Sequence, residues 1–288
     1  MKARNFRYIK PHSLDHAYRI LQHGGGEAIP VAGGQSLLAG LNMRLSAPEL
    51  LVDIGDLPEL AISSAGNEEI RLGALTRHRE LLGSDLIREK LPLLRQAASH
   101  VGHVAIRNRG TLGGSLAYAD PAAELPACAV ALDATIVLGS LAGEREVKAE
   151  DFFKGLFETD LRVGELILAV KFPLAKVPPA TAFGELSRRH GDFALAGLAA
   201  VANVEDGRIR DARLVYLGCN DHAKVARSVS AAVAGLSIPL ADGEAYEQAI
   251  KQDIDPQDTP GLRADTRIHM AKILTRRVLN SLSTDIPA

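Results

Sequence analysis

Apolar residues at Leu14, Ala17, Tyr18 and Leu21 recur with helical spacing behind Ser13, which predicts a capped amphipathic helix ended by Gly24-Gly25-Gly26. Residues 28–32 then read as a short strand, 37–45 as a helix and 50–54 as a second strand, an α-β-α-β unit of about 55 residues. The pattern continues with an extended stretch over 69–75, a short helix capped by Thr76 and a helix that Pro92 opens and that runs to about Val101. An apolar helix-then-strand stretch covers 125–138, and a strand beginning at Glu165 is closed by Pro173. Lys176-Val177-Pro178-Pro179 reads as a linker. Beyond it, 195–204 and 209–217 predict antiparallel strands around the turn Glu205-Asp206-Gly207, and a last helix spans about 265–282. The expected fold class is α+β, with units at 1–175 (divided near 55) and 178–288.

Composition narrows the function more by exclusion than by assignment. With 33 Lys and Arg against 35 Asp and Glu, the net charge of −2 offers nothing for nucleic acid or an anionic membrane surface. Tryptophan is absent and aromatics total 4%, too few for a base-stacking platform. No apolar run approaches the roughly 20 residues of a membrane span. The N-terminus shows no apolar signal core, so the cytoplasm is the expected location. Cys128 and Cys219 lie far apart in apolar surroundings and read as buried thiols, leaving no cysteine set for a cluster or a zinc.

Two glycine pairs carry the candidate chemistry: Ala32-Gly33-Gly34-Gln35-Ser36 and Thr111-Leu112-Gly113-Gly114-Ser115. Each offers two residues without Cβ followed by a hydroxyl, so backbone N–H groups can turn toward an anion and let a phosphate come close. Alone, each pair reads as a tight turn; two in one half of the chain point to one extended ligand, such as a dinucleotide, held at two points. The G-x-G-x-x-G fingerprint, the G-x-x-x-x-G-K-[ST] phosphate loop and the G-x-S-x-G elbow are all absent from the sequence.

Four segments in order resemble the FAD-binding medium subunit of the molybdenum hydroxylases, the family of xanthine and carbon monoxide dehydrogenases. They are Pro30 to Leu37 around A-G-G-x-S; Thr111 to Ser115, preceded by Ile106-Arg107-Asn108-Arg109-Gly110; Ala119-Asp120-Pro121-Ala122-Ala123-Glu124; and Ser187-Arg188-Arg189-His190-Gly191-Asp192-Phe193-Ala194. The resemblance covers essentially the whole chain. It implies a vanillyl-alcohol-oxidase (PCMH)-type FAD-binding fold in two subdomains over 1–175, followed by a C-terminal domain of antiparallel sheet and helices.

The resemblance also implies a site and a role. Val31, Ala32, Gly33, Gly34, Gln35, Ser36 and Leu37, with Ile106, Thr111, Leu112, Gly113, Gly114 and Ser115, would cradle the FAD pyrophosphate. Backbone N–H groups would serve it, with hydroxyls of Ser36, Thr111 and Ser115 as further donors. Asp120 either starts a turn before Pro121 or accepts from ribityl or ribose hydroxyls; the resemblance favours the second. Phe193 would lie near the isoalloxazine, although a plain core phenylalanine fits the sequence as well, and Ile167 would pass beside the ring. Gln35 stands near where covalent relatives use histidine, so non-covalent FAD is expected, and Glu185 departs from relatives with a lysine nearby. His100 and His103 read as helix-end histidines, and no metal is expected on this chain.

The implied role is relay of electrons from partner iron–sulfur clusters through FAD to an external acceptor. The partners would be a large subunit with a molybdopterin-type molybdenum cofactor and a small subunit with two two-iron two-sulfur clusters, in a dimer of heterotrimers. The alternatives are an FAD-free scaffold and a stand-alone flavin oxidase.

Overall fold

In the computed structural model, residues 2–174, 180–241 and 243–282 are described. The expected linker at 176–179 lies outside them. The first unit is a three-stranded parallel sheet in which Leu50–Asp53 is central, flanked by Ala28–Val31 on one edge and Arg7–Ile9 on the other. The Arg7–Ile9 strand escapes the sequence pattern because it has three exposed residues and is specified by its partner strand alone. Ser13 caps the helix Leu14–Gly24, its hydroxyl accepting from the His16 N–H at 3.1 Å, and that helix buries Ala17, Tyr18 and Leu21 as the spacing predicts.

The second unit is a five-stranded antiparallel sheet. Leu166–Pro173 lies at its centre between Glu69–Gly73 and Thr135–Ser140, with Ser64–Ala65 and Gly143–Lys148 outside. The apolar segment 125–138 divides as expected into a helix, Glu124–Ala131, and the strand Thr135–Ser140. That helix is buried along its whole length, with Pro92–Ala98 beside it. Its low amphipathicity follows from its position, because protein covers it on every side.

The C-terminal part is a three-stranded antiparallel sheet, Ala180–Leu186, Ala196–Glu205 and Arg208–Leu217, with the predicted hairpin at Asp206-Gly207, both of positive φ. One face packs on the helices Glu124–Ala131 and Pro92–Ala98, so Ala199, Val201, Val215 and Leu217 share a core with the N-terminal half. The other face buries Leu198, Leu214 and Tyr216 against the C-terminal helices, of which Ala264–Ser281 is the longest. Tyr216 is wholly buried, yet its hydroxyl is satisfied by Thr275 at 2.5 Å. Among the described residues no helix is long and apolar enough to cross a membrane.

Candidate functional site

A cleft of about 410 Å³ opens where the parallel sheet meets the antiparallel one. Every residue named above for cofactor binding lines it except Leu112. Leu112 is fully buried in the core, and its N–H donates to the Thr76 carbonyl at 2.9 Å. The segment Gly191-Asp192-Phe193 brings the C-terminal half into the same wall, with Gly191 so close to the 102–103 turn that a Cβ would sit 3.0 Å from the Gly102 carbonyl.

The two glycine pairs build different objects. At the first, the chain leaves the strand Ala28–Val31 and turns through Gly34 at φ +73° before entering the helix Leu37–Asn42. The N–H groups of Gly33 to Leu37 have no protein acceptor among the described residues, and Gln35 steadies the loop by donating from Nε2 to the Gly33 carbonyl at 3.1 Å. Ser36 occupies the N-cap position without using its hydroxyl as a cap.

The second pair is not an open loop. Thr111 is the N-cap of a helix, Leu112–Tyr118, and both glycines lie in its first turn. Gly113 N–H donates to the Ala74 carbonyl at 2.8 Å, Gly114 N–H to Thr111 Oγ1 at 3.1 Å and Ser115 N–H to the Thr111 carbonyl at 3.0 Å. This corrects the picture of two equivalent amide cradles: the Leu112 to Ser115 amides are already spent on the fold. Gly113 is required for packing, since a Cβ would lie 2.6 Å from the Ala74 Cβ. Gly33 is required for a related reason, because a Cβ there would overlap the Arg109 carbonyl and push the two segments apart.

Several other assignments resolve. Asp120 Oδ1 accepts from the Ala122 N–H at 2.9 Å, so the residue makes the turn and also lines the cleft. Burial raises its pKa, partly offset by that bond. Phe193 is 71% exposed at the cleft wall, which removes the core reading. Ile167 is buried on its strand and lines the cleft.

Glu185 does not line the cleft. Its side chain is 2% exposed and faces His100 Nδ1 at 3.4 Å, with the His100 ring against Phe183 and His190. No group of three or more His, Cys, Asp or Glu residues able to hold a metal occurs among the described residues. Both cysteines are buried and free, and burial pushes the Cys219 thiol up to about 12. Arg107 clamps the neighbouring turn, donating from Nη1 to the carbonyls of Val101 at 3.0 Å and Gly102 at 2.7 Å.

Two cleft residues were not singled out from sequence. Glu124, the first residue of its helix, is held up at about 8 by burial, with Glu185 and Asp120 adding repulsion. His78 is driven down to about 4, chiefly by burial, with the Thr111 backbone opposing and Arg107 and Arg77 assisting. Neither stands in a recognisable motif. The only sequence signal was proximity, Glu124 ending the Ala119–Glu124 segment and His78 following Thr76.

A cleft walled by an open glycine loop on a small parallel sheet, and by a glycine-led helix on a larger antiparallel one, is the architecture of PCMH-type FAD-binding proteins. Residues 4–175 match the model of the FAD binding domain in molybdopterin dehydrogenase, and 181–282 that of the CO dehydrogenase flavoprotein C-terminal domain. The chain belongs to this family, the FAD-binding medium subunits of the molybdenum hydroxylases. It is 40% identical over 280 residues to the 6-hydroxypseudooxynicotine dehydrogenase complex subunit alpha of Paenarthrobacter nicotinovorans, covering 97% of this chain and 95% of that protein. Among solved structures, carbon monoxide dehydrogenase from Hydrogenophaga pseudoflava superposes with a TM-score of 0.93 at 31% identity, covering 99% of each chain. Quinoline 2-oxidoreductase from Pseudomonas putida 86 gives 0.90 at 35% identity with the same coverage.

Proposed function

We propose that this chain holds FAD non-covalently in the cleft and passes electrons from iron–sulfur clusters of a small partner subunit to an external acceptor. Substrate oxidation would occur on a large partner bearing the molybdenum cofactor, in a cytoplasmic dimer of heterotrimers. The observation that carries the reading is the run of open amides from Gly33 to Leu37 in the wall of a cleft bridging two sheets. Such amides gain partners from a diphosphate without a basic side chain in the loop. The "complex subunit" and "medium chain" names of relatives support a multi-subunit assembly.

The residues fit the cofactor. Unspent donors at the first loop would meet the diphosphate, and Thr111 and Ser115 line the cleft beside it. Asp120 keeps one carboxylate oxygen outside the Ala122 bond, an acceptor suited to a sugar hydroxyl. When bound, FAD supplies the exchange between electron donors and acceptors, while the protein supplies position and electrostatics. Gln35 is tied to the Gly33 carbonyl and offers no nucleophile, which supports non-covalent attachment.

Purification of the complex with its native partners, followed by a visible spectrum and metal analysis, tests the proposal. Flavin, iron and molybdenum together are the expected result. A complex without flavin favours the scaffold alternative, and activity from this chain alone favours the stand-alone oxidase.

A further inference from the structure

His78 is a buried polar group of the cleft wall that the proposed function leaves without work. It opens the helix His78–Gly83 and is only 5% exposed, yet it lines the cleft beside Gly110 and Thr111. Its backbone N–H is committed to the Gly110 carbonyl at 3.1 Å. The ring is packed so tightly on Gly110 that a Cβ there would lie 2.8 Å from both Cε1 and Nδ1, which fixes its orientation. Neither ring nitrogen has a hydrogen-bond partner of proper geometry among the described residues.

A buried imidazole with two dry nitrogens carries a desolvation penalty that an apolar residue of the same shape would avoid. Packing therefore does not explain the residue type, whereas a ligand that supplies the missing partner does. The position says which part of a ligand: Gly110 directly follows Arg109, whose carbonyl is where the first glycine loop seats Gly33 and where the Arg77 guanidinium donates. His78 thus stands at the junction of the two glycine segments.

We propose that His78 anchors the cofactor, its neutral imidazole donating a ring N–H to a phosphate oxygen of FAD at that junction. The inference rests on the reading that the cleft holds FAD. Burial with Arg77 and Arg107 nearby keeps the ring uncharged at neutral pH, so one nitrogen is a donor and the other an acceptor. The acceptor nitrogen is then free for a ligand hydroxyl. A neutral donor there complements the open amides of Gly33 to Leu37 without adding a fixed charge to the cleft.

The test uses the full chain stripped of flavin and titrated with FAD, binding being followed by quenching of flavin fluorescence. Wild type, His78→Phe and His78→Gln are compared, with thermal melts of the flavin-free proteins alongside. His78→Phe is expected to weaken FAD binding by roughly tenfold or more while the flavin-free protein melts no lower than wild type, because a dry polar group has been removed. His78→Gln, which keeps an N–H donor, is expected to recover part of the affinity. In the unmutated protein, the nitrogen-15 resonances of the His78 ring should move when FAD is added, a readout that survives any folding defect of the variants. Wild-type affinity in both variants together with unmoved ring resonances overturns the anchor role and leaves the cleft assignment standing. Failure of wild type itself to take up FAD overturns both.

Discussion

The two glycine pairs look alike in sequence and do opposite things in the fold. Gly33-Gly34 belongs to a loop whose following amides have no acceptor among the described residues, so they are left open at the cleft wall. Gly113-Gly114 belongs to a helix whose first amides are bound to Ala74, Thr76 and Thr111, so it is complete by itself. The difference comes from the flanking residue. Thr111 can cap a helix and does so through Gly114, whereas Gly34 at φ +73° turns the chain and Ser36 leads into the next helix without a side-chain cap. Glycine pairs therefore mark close approach, and what approaches differs: Ala74 at the second pair, the Arg109 carbonyl at the first, where the amides that follow stay open.

The strongest way to break this comparison is to put bulk at both places. Gly113→Val should destabilise the chain by about 3 kcal/mol or more, read as a lowered midpoint in denaturant, because its side chain would be forced into Ala74. Gly33→Val should abolish FAD retention, since it separates the loop from Arg109. Equal effects of the two substitutions on fold and on flavin would erase the distinction.

Smaller perturbations sharpen it. Thr111→Ala removes the cap from Gly114 and should lower stability by about 1 kcal/mol, with FAD affinity changing less than for a first-loop substitution. Gln35→Ala loses one side-chain bond to the Gly33 carbonyl; loosening the loop should weaken FAD binding several-fold with stability changed by about 0.5 kcal/mol.

The pH dependence of stability reads the cleft wall in the flavin-free protein. Glu124, whose folded pKa is about 8 against an ordinary 4.5, retains a proton that the unfolded chain releases, so its contribution falls as pH rises through that window. His78, at about 4 against 6.5, works the other way, and its contribution grows as pH rises from 4 to 6.5. The two slopes oppose each other below 6.5, and above it Glu124 alone remains. Stability should decline between 6.5 and 8 by an amount on the order of 2 kcal/mol. Glu124→Gln should flatten that decline, measured by denaturant titration at each pH.

Much of this was legible in the sequence where a local rule decided the outcome. Ser13 with its helix, the Asp206-Gly207 hairpin and the strand closed by Pro173 each rest on nearest-neighbour chemistry. The helix after Thr111 was hidden because paired glycines are poor helix formers, and its stability comes from the cap and from Ala74 rather than from propensity. The expected cap at Thr76 falls one residue later, on Arg77, whose N–H donates to Glu80 Oε2 at 2.7 Å. His78 and Glu124 gave no signal, because a perturbed titratable group is made by what folds over it from elsewhere in the chain. The two glycine pairs together pointed to one extended ligand held at two points, and the resemblance supplied the other candidate cleft residues and the identity of that ligand.

The central claim is that the first glycine segment meets the cofactor with its backbone while the second serves the fold. Backbone amide hydrogen exchange of the full chain, with and without FAD, measures it residue by residue. The account predicts that Gly33 to Leu37 exchange rapidly alone and become protected when FAD is added, while Leu112 to Ser115 are protected in both conditions. New protection confined to Leu112 to Ser115, with Gly33 to Leu37 unchanged, would contradict it.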